Sequence, residues 1–177
     1  MNLIKILTDK DFNIEPIEMN NPRHRYAARG LVFKDNKIAI LNKRFKREYK
    51  LVGGGIEENE DPAIAFQREV LEESGCEIEI KELLGIIEEH KSQDNFKQTS
   101  YVFLANVIND TKKLNLTQKE LDEGARLLWL DIEDAMRLIK ESEEKLIASE
   151  YENLYHTKFI VRRDYEILKY YLENYNK

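Results

Sequence analysis

The sequence is poor in the residues that cross-link a chain or anchor it in a membrane. It has one cysteine, Cys76, so no internal disulfide can form and a reducing compartment is expected. Its three histidines, His24, His90 and His156, have no partners at the spacing of a metal site. No apolar run approaches the ~20 residues that cross a bilayer, and the start, "MNLIKILTDKDFN", lacks the apolar stretch of a signal peptide. These absences favour a cytoplasmic protein with no membrane contact.

Positive charge is also in deficit. The chain has 28 lysines and arginines against 34 aspartates and glutamates, a net charge of -6. Extended nucleic acid and anionic membrane surfaces are bound through basic patches, so neither is an expected partner. A small anionic substrate would need a divalent metal to offset the repulsion.

The first half of the chain predicts strands. "RYAARGLVFK", from Arg25 to Lys34, is rich in strand formers, and Asp35-Asn36 is a turn signal before "KIAILNKR". The two segments therefore predict a hairpin. Further on, "TSYVFLANVI" from Thr99 to Ile108 is apolar enough for a central strand, and "ARLLWLD" is a shorter candidate.

The last third predicts helices, with a helical segment at about 132–175. Asp131 can cap a helix through Lys140, and Phe159 to Tyr175 has the spacing of an amphipathic helix. This last helix could pack on its own sheet or, in a homodimer, on a second subunit. With no repeat or linker, the 177 residues predict one domain over 1–177, of the α/β (α+β) class with a mixed sheet covered by helices.

A helix rich in glutamate stands between the strands, within "LVGGGIEENEDPAIAFQREVLEESGCEIEI". Asp61 is suited to the N-cap, Pro62 to the first helical position and Gly75 to the C-terminal end. The pattern predicts a helix from about Pro62 to Ser74.

Three carboxylates, Glu69, Glu72 and Glu73, share one face of this helix. Like charges four residues apart destabilise a helix by ~0.2 to 0.5 kcal/mol, so the helix alone does not account for them. Oxygen ligands converging from successive turns suit Mg²⁺, although a solvated acidic face would have the same pattern. The preceding Gly53-Gly54-Gly55 is equally compatible with a close backbone approach to a ligand and with a tight turn.

Together these residues resemble the Nudix box: Gly, five residues, Glu, seven residues, then Arg-Glu-apolar-any-Glu-Glu-any-Gly-apolar. The matching positions are Gly54, Glu60, Arg68, Glu69, Val70, Glu72, Glu73, Gly75 and Cys76. Two departures, Val52 where a proline is common and Cys76 at the final aliphatic position, remove no ligand.

The resemblance implies an α/β/α sandwich that hydrolyses the diphosphate in a nucleoside diphosphate linked to another group. In that family the helix carboxylates bind Mg²⁺ or Mn²⁺ or activate water, which implies these roles for Glu69, Glu72 and Glu73. The resemblance also implies the Gly53 carbonyl as a further metal ligand. The base that takes the proton from water would be Glu69 or Glu72. The resemblance further implies an orienting ion pair between the catalytic-motif Arg68 and Glu60. Gly54 and Gly75 would be structural, with Gly54 and Gly55 also beside substrate.

Outside the box the assignments are more open. Arg44 lies where similar enzymes place a substrate-contacting cation, or is a solvated loop charge. Glu120 or Glu123 could supply another metal ligand, and Thr117 with Glu120 also fits a simple capping box.

The substrate implied by the resemblance is a small nucleotide such as an NTP, a dNTP or a nucleotide derivative. The alternative is a Nudix fold that binds a nucleotide or sugar nucleotide as a sensor without cleaving it. Such proteins lose box carboxylates, whereas all four are present here, so hydrolysis is favoured.

Overall fold

The structure is a computed structural model that describes residues 1–175. Within that range the chain forms eight strands and four α-helices, with five strands before the first helix and two helices at the end. The strands are β1 (Leu3–Thr8), β2 (Arg23–Lys34), β3 (Lys37–Lys43), β4 (Glu48–Leu51), β5 (Gly53–Gly55), β6 (Cys76–Lys91), β7 (Phe96–Asp110) and β8 (Ala125–Leu130). The helices are α1 (Pro62–Ser74), α2 (Gln118–Asp122), α3 (Ile132–Ser142) and α4 (Leu154–Asn174).

The sheet is mixed and has the main order β1-β6-β7-β2-β3-β4, with β5 on β2 and β8 on β3. The β1–β6 and β2–β7 pairs are parallel, and the others are antiparallel. β2 pairs with β3 only at the hairpin end, at Phe33 and Lys34, whereas its Ala27–Arg29 stretch pairs with β5. The sheet therefore opens between the first half of β2 and strand β4.

The predicted hairpin is present, and its turn residues explain it. Asp35 and Asn36 both have positive φ, 50° and 62°, as the two-residue turn that matches strand twist requires. The predicted helix also has the predicted bounds, because the Asp61 carboxylate accepts hydrogen bonds from the Ala63 and Ile64 amides and Gly75 ends the helix at φ 71°.

Apolar residues cover both faces of the sheet, which makes three layers. Because strand side chains alternate, Leu51 and Val102 pack on the α3–α4 side, whereas Val52 and Phe103 pack on the α1 side. Helix α1 adds Phe66 and Val70 to the second core. The predicted α/β class and α/β/α sandwich are thus confirmed.

The C-terminal segment forms two helices, and the longer one begins earlier than predicted. α4 starts at Leu154, where the Asn153 side chain accepts a hydrogen bond from the His156 amide, because an N-cap precedes the apolar spacing that begins at Phe159. α4 packs on β1, β4 and β6 of its own sheet. Among residues 1–175, no helix is both long and apolar enough to cross a membrane.

Candidate active site

The glycine strand β5 lies directly against the carboxylate face of α1. A Cβ on Gly54 would overlap the Glu69 carboxylate, and one on Gly55 would lie 2.6 Å from Nη2 of Arg25. The absence of side chains on β5 is therefore what allows a carboxylate and a guanidinium to approach its backbone.

Glu73 is buried and held from two sides. Its Oε2 accepts a 2.7 Å hydrogen bond from the Gly53 amide, and its Oε1 lies 3.0 Å from Nζ of Lys50. Burial raises the pKa of Glu73 to about 7, although Lys50 and the Gly53 amide oppose the increase. Lys50 also donates to the Gly53 carbonyl at 3.4 Å, so a side-chain cation joins Glu73 to the glycine strand.

Glu72 is the freest of the three carboxylates. Its side chain is 36% exposed, and the nearest cationic nitrogen, Nη1 of Arg68, is 3.6 Å away. Burial and the neighbouring Glu69 charge raise the pKa of Glu72. Glu69, in contrast, accepts a 2.8 Å hydrogen bond from Arg68.

Arg68 joins the helix to the loop that precedes it. Its guanidinium donates two 2.9 Å hydrogen bonds to the Glu60 carboxylate and a third of 2.9 Å to the Gly55 carbonyl. These hydrogen bonds from Arg68, with another from the Glu57 amide, lower the pKa of Glu60 to about 2. The arginine fork thereby fixes β5 and Glu69 relative to one another.

Glu120 and Glu123 occupy different environments. Glu120 lines the same cavity as Glu69 and Glu73, and its charge raises the pKa of both Glu72 and Glu73. It also completes the capping box with Thr117, at 2.8 Å from that amide. Glu123 is buried, 2.7 Å from Nζ of Lys43 and 2.7 Å from Oγ of Ser149. Glu120 is therefore the better placed of the two to act with α1.

Arg44 lies apart from these residues. Its Nε donates to the Gly124 carbonyl at 3.1 Å, and it lines a separate cavity with Arg47, Tyr49 and Arg126. Its assignment to the substrate stays a prediction, and the described structure does not bring it to the glutamates of α1.

A cavity of about 330 Å³ connects the glycine strand with α4 and is lined by charged residues of both signs; we call it the main cavity because Glu69 and Glu73 line it. Five glutamates line it: Glu48, Glu69, Glu73, Glu120 and Glu152. Eight cations also line it: Arg23, Arg25, Arg29, Lys43, Lys50, Lys91, Lys119 and Arg163. Three of these cations pair with carboxylates outside the lining: Lys43 with Glu123, and Lys91 and Arg163 with Glu89. The three arginines of β2 have no ion pair among residues 1–175, so their side of the cavity suits an anionic ligand.

Sequence reasoning missed most of these cations. Lys50 is in a short strand, and its position two residues before Val52, which packs on the α1 side, was a usable signal. Arg163 had no comparable signal, since only the packing of α4 on the sheet brings residue 163 to the cavity beside the glycine strand.

The donor set is compatible with a hard divalent cation, since Glu69, Glu72, Glu73, Glu120 and the Gly53 carbonyl are all oxygen ligands. Across residues 1–175, however, no three acidic, histidine or cysteine side chains already converge as a metal site. Arg68 holds Glu69, and Lys50 holds Glu73. Glu69 and Glu120, with the Gly53 carbonyl, would hold the ion, and the predicted ligand roles of Glu72 and Glu73 stay predictions.

Comparisons with known proteins agree with this geometry. Residues 23–151 match the model of the NUDIX domain. The chain is 29% identical over 107 residues to diphosphoinositol polyphosphate phosphohydrolase NUDT4B of Homo sapiens, covering 60% of this chain and 56% of that protein. It is 30% identical over 107 residues to diphosphoinositol polyphosphate phosphohydrolase 3-alpha of Mus musculus, with 60% and 62% covered. The chain thus spans less than two thirds of these relatives.

The fold also has solved counterparts. A NUDIX hydrolase from Nitrosomonas europaea superimposes with a TM-score of 0.55 at 17% identity, covering 81% of this chain and 93% of the other.

Proposed function

Because the chain belongs to the Nudix family, we propose that it is a pyrophosphohydrolase that uses Mg²⁺ or Mn²⁺. Its substrate is a small molecule that contains a diphosphate, such as a nucleoside diphosphate linked to another group, an NTP or a dNTP. We place this reaction in the cytoplasm, without a membrane or an extended nucleic acid as partner.

The observation that carries the proposal is the contact between α1 and β5. Glu69 and Glu73 lie against a backbone without side chains, and Glu72 stands beside them with Nη1 of Arg68 at 3.6 Å. A sensor that binds without cleaving has no need of these carboxylates, so their retention supports hydrolysis.

The bound metal would supply polarised phosphoryl oxygens and a water of lowered pKa. In the reaction a water oxygen bonds to one phosphorus, the bridging P–O bond breaks, and the second phosphate leaves with the electron pair. The proton of the attacking water passes to a carboxylate, for which Glu69 and Glu72 are the candidates. Glu72 is favoured, because Arg68 holds Glu69 at 2.8 Å but lies 3.6 Å from Glu72.

Cations of the chain would position the diphosphate. Arg25 lies over Gly55, where its guanidinium can bind phosphate oxygens as a fork. Arg68 keeps Glu69 oriented rather than binding the substrate, because all three of its guanidinium nitrogens already donate.

A second candidate substrate is a diphosphoinositol polyphosphate, the class named in the two curated relatives. Several phosphate groups would suit Arg23, Arg25 and Arg29, which line the cavity and form no ion pair among residues 1–175, better than a nucleobase would. The phenyl ring that lines the cavity, Phe96, already has Arg23 at 4.6 Å and Lys91 at 5.4 Å from its centre, which leaves little of its face for base stacking.

A substrate panel with each metal tests the proposal. Nucleoside triphosphates, nucleotide sugars and a diphosphoinositol polyphosphate would be followed by phosphate release and product mass at neutral and alkaline pH. We expect metal-dependent cleavage of at least one class, lowered ~100-fold or more by Glu72→Gln because a proton acceptor is lost.

Glu58→Gln is the matched control, since Glu58 is exposed in the loop before α1. Equal losses in the two variants would contradict the role of Glu72. If the substrates bound but none were cleaved with either metal, the chain would be a nucleotide-binding sensor and not a hydrolase.

A further inference from the structure

Arg29 of β2 is a buried cation that no carboxylate contacts directly. It is 5% exposed and lines the main cavity, yet among residues 1–175 no carboxylate lies within the 4.0 Å of an ion pair. Its described side-chain hydrogen bond is from Nε to the neutral Ser100 hydroxyl, at 3.2 Å. A buried charge without a partner is costly, so a missing anion is the simplest account of it.

Arg163 of α4 approaches the same end of the cavity. It is 1% exposed, and its Nε and Nη1 donate to Asp164 and Glu89 at 2.8 and 3.0 Å. Its third nitrogen, Nη2, is buried and has no hydrogen-bond partner among the described residues. A guanidinium with an unused donor and a guanidinium that no carboxylate contacts directly thus line one cavity.

The charges at this end do not balance. Burial and then the nearby Arg163 charge lower the pKa of Arg29 to about 10; Asp164 and Glu89 oppose this decrease, and Arg25 adds to it. With Lys91, which pairs with Glu89, the cluster has four cations. Its two carboxylates, Glu89 and Asp164, leave a charge of +2.

We infer that Arg29 and Arg163 form a binding site for a phosphate group of the substrate other than the diphosphate that is cleaved. A phosphate dianion matches the excess charge, and its oxygens fit the donor geometry of guanidinium groups. We name this pair the α4 phosphate site.

The α4 phosphate site rests on the proposed function, since it assumes that the diphosphate lies at β5 and α1. Arg29 pairs in register with Gly53, while Arg25 lies over Gly55. One ligand could therefore extend along β2 from the glycine strand to α4. The site would select substrates that have a phosphate at a second position. One of its two residues, Arg163, lies beyond the family match at 23–151.

Binding without metal separates this site from catalysis. The probes are inorganic phosphate and inositol hexakisphosphate, which contains no diphosphate bond, titrated by calorimetry in EDTA. We expect the wild-type chain to bind inositol hexakisphosphate, and Arg29→Gln to weaken the binding ~10-fold or more because a charge-assisted contact is lost. Arg163→Lys, which retains the charge but not the fork, should weaken it as well.

Arg162→Gln is the matched control, because Arg162 is the neighbouring residue of α4 and pairs with Glu143 instead. It should bind as wild type does. Wild-type affinity in Arg29→Gln, or no binding by the wild type, would overturn the site. Binding in EDTA that depends on Arg29 would support it even if the substrate panel failed, so the two failures are distinguishable.

Thermal melting distinguishes a binding role from a structural one. Without an anion, Arg29→Gln should melt at or above the wild-type temperature, because it removes a buried charge that no carboxylate contacts directly. Inorganic phosphate should then raise the Tm of the wild type more than that of Arg29→Gln. A lower Tm for Arg29→Gln without anion would mean that Arg29 is structural and would overturn the proposal.

Discussion

Gly53 and Gly54 are adjacent in β5 but meet different neighbours. Gly53 has φ +134°, and a Cβ there would overlap backbone atoms of Ala28 and Arg29. Gly54 is outside the positive-φ region, and the atoms that a Cβ would meet belong to the Glu69 side chain. The backbone atoms next to Gly53 could move only at a large cost in stability, whereas the Glu69 carboxylate next to Gly54 could rotate away from an added Cβ.

Alanine substitution at the two glycines should therefore separate stability from activity. Gly53→Ala is expected to destabilise the fold by roughly 1–3 kcal/mol or more, as a residue forced into a strained conformation does. Gly54→Ala should leave the Tm near that of wild type but lower hydrolysis, because Glu69 is displaced. Melting curves and rates on the same preparations measure both effects, and a Gly54→Ala variant with full activity would contradict the argument.

Lys50 favours the ionised form of Glu73, against the effect of burial. Burial raises the pKa of Glu73 to about 7, above the pKa of a glutamate in the unfolded chain. The folded state therefore loses stability as the pH rises from that unfolded pKa through 7, because Glu73 must ionise while buried. Lys50→Met removes an influence that lowers this pKa, so the loss of stability between about pH 5 and pH 8 should be larger than in wild type. Urea denaturation at the two pH values measures it.

Lys81→Met provides the comparison for Lys50→Met, since Lys81 pairs with Glu79 at the surface. Its pH dependence should match that of wild type. If the pH dependence of stability in Lys50→Met also matched that of wild type, Lys50 would not stabilise the ionised form of Glu73.

At the scale of elements, Glu89 connects β6 to α4. It is fully buried, with Nζ of Lys91 at 3.0 Å and Nη1 of Arg163 at 3.0 Å. Although burial favours its neutral form, Lys91, Arg163 and Arg29 lower the pKa of Glu89 to about 2.

Glu89→Gln should lower the free energy of unfolding at neutral pH by about 3–5 kcal/mol, since it leaves buried cations without their partner. A depressed pKa contributes stability above the unfolded value, and this contribution is lost as the pH falls towards 2. The difference from wild type should therefore shrink below about pH 4.5, as followed by urea denaturation. Glu77→Gln, at an exposed position of β6, should change little, and a Glu89→Gln deficit independent of pH would contradict the assignment.

For the whole molecule, α4 is part of the core although it follows the family match. Val161, Ile167 and Leu168 are fully buried against the sheet, and burying three such side chains contributes roughly 5–9 kcal/mol. A chain that ends at residue 151 should therefore bind hydrophobic dyes and lose its cooperative melting transition. A truncated chain that melts cooperatively near the wild-type temperature would show that α4 is dispensable.

Local patterns predicted much of the fold, because they depend on neighbours in the chain. Asp61, Pro62 and Gly75 gave the exact bounds of α1, Asp35-Asn36 gave the hairpin, and the box spacing gave the family, which is confirmed. The cationic half of the cavity could not be predicted this way. Arg29 and Arg163 lie far apart in sequence, and only tertiary packing brings them together. The homodimer and the single-domain assignment stay predictions.

One consequence of the β2 arginines concerns how fast a substrate arrives. Arg23 and Arg25 are exposed and Arg29 is buried, all on one face of the strand, so positive potential extends from the surface into the interior of an otherwise acidic molecule. Such a path raises the association rate of a polyanion by electrostatic steering. The rate constant should therefore fall steeply as ionic strength increases and the screening length approaches about 8 Å.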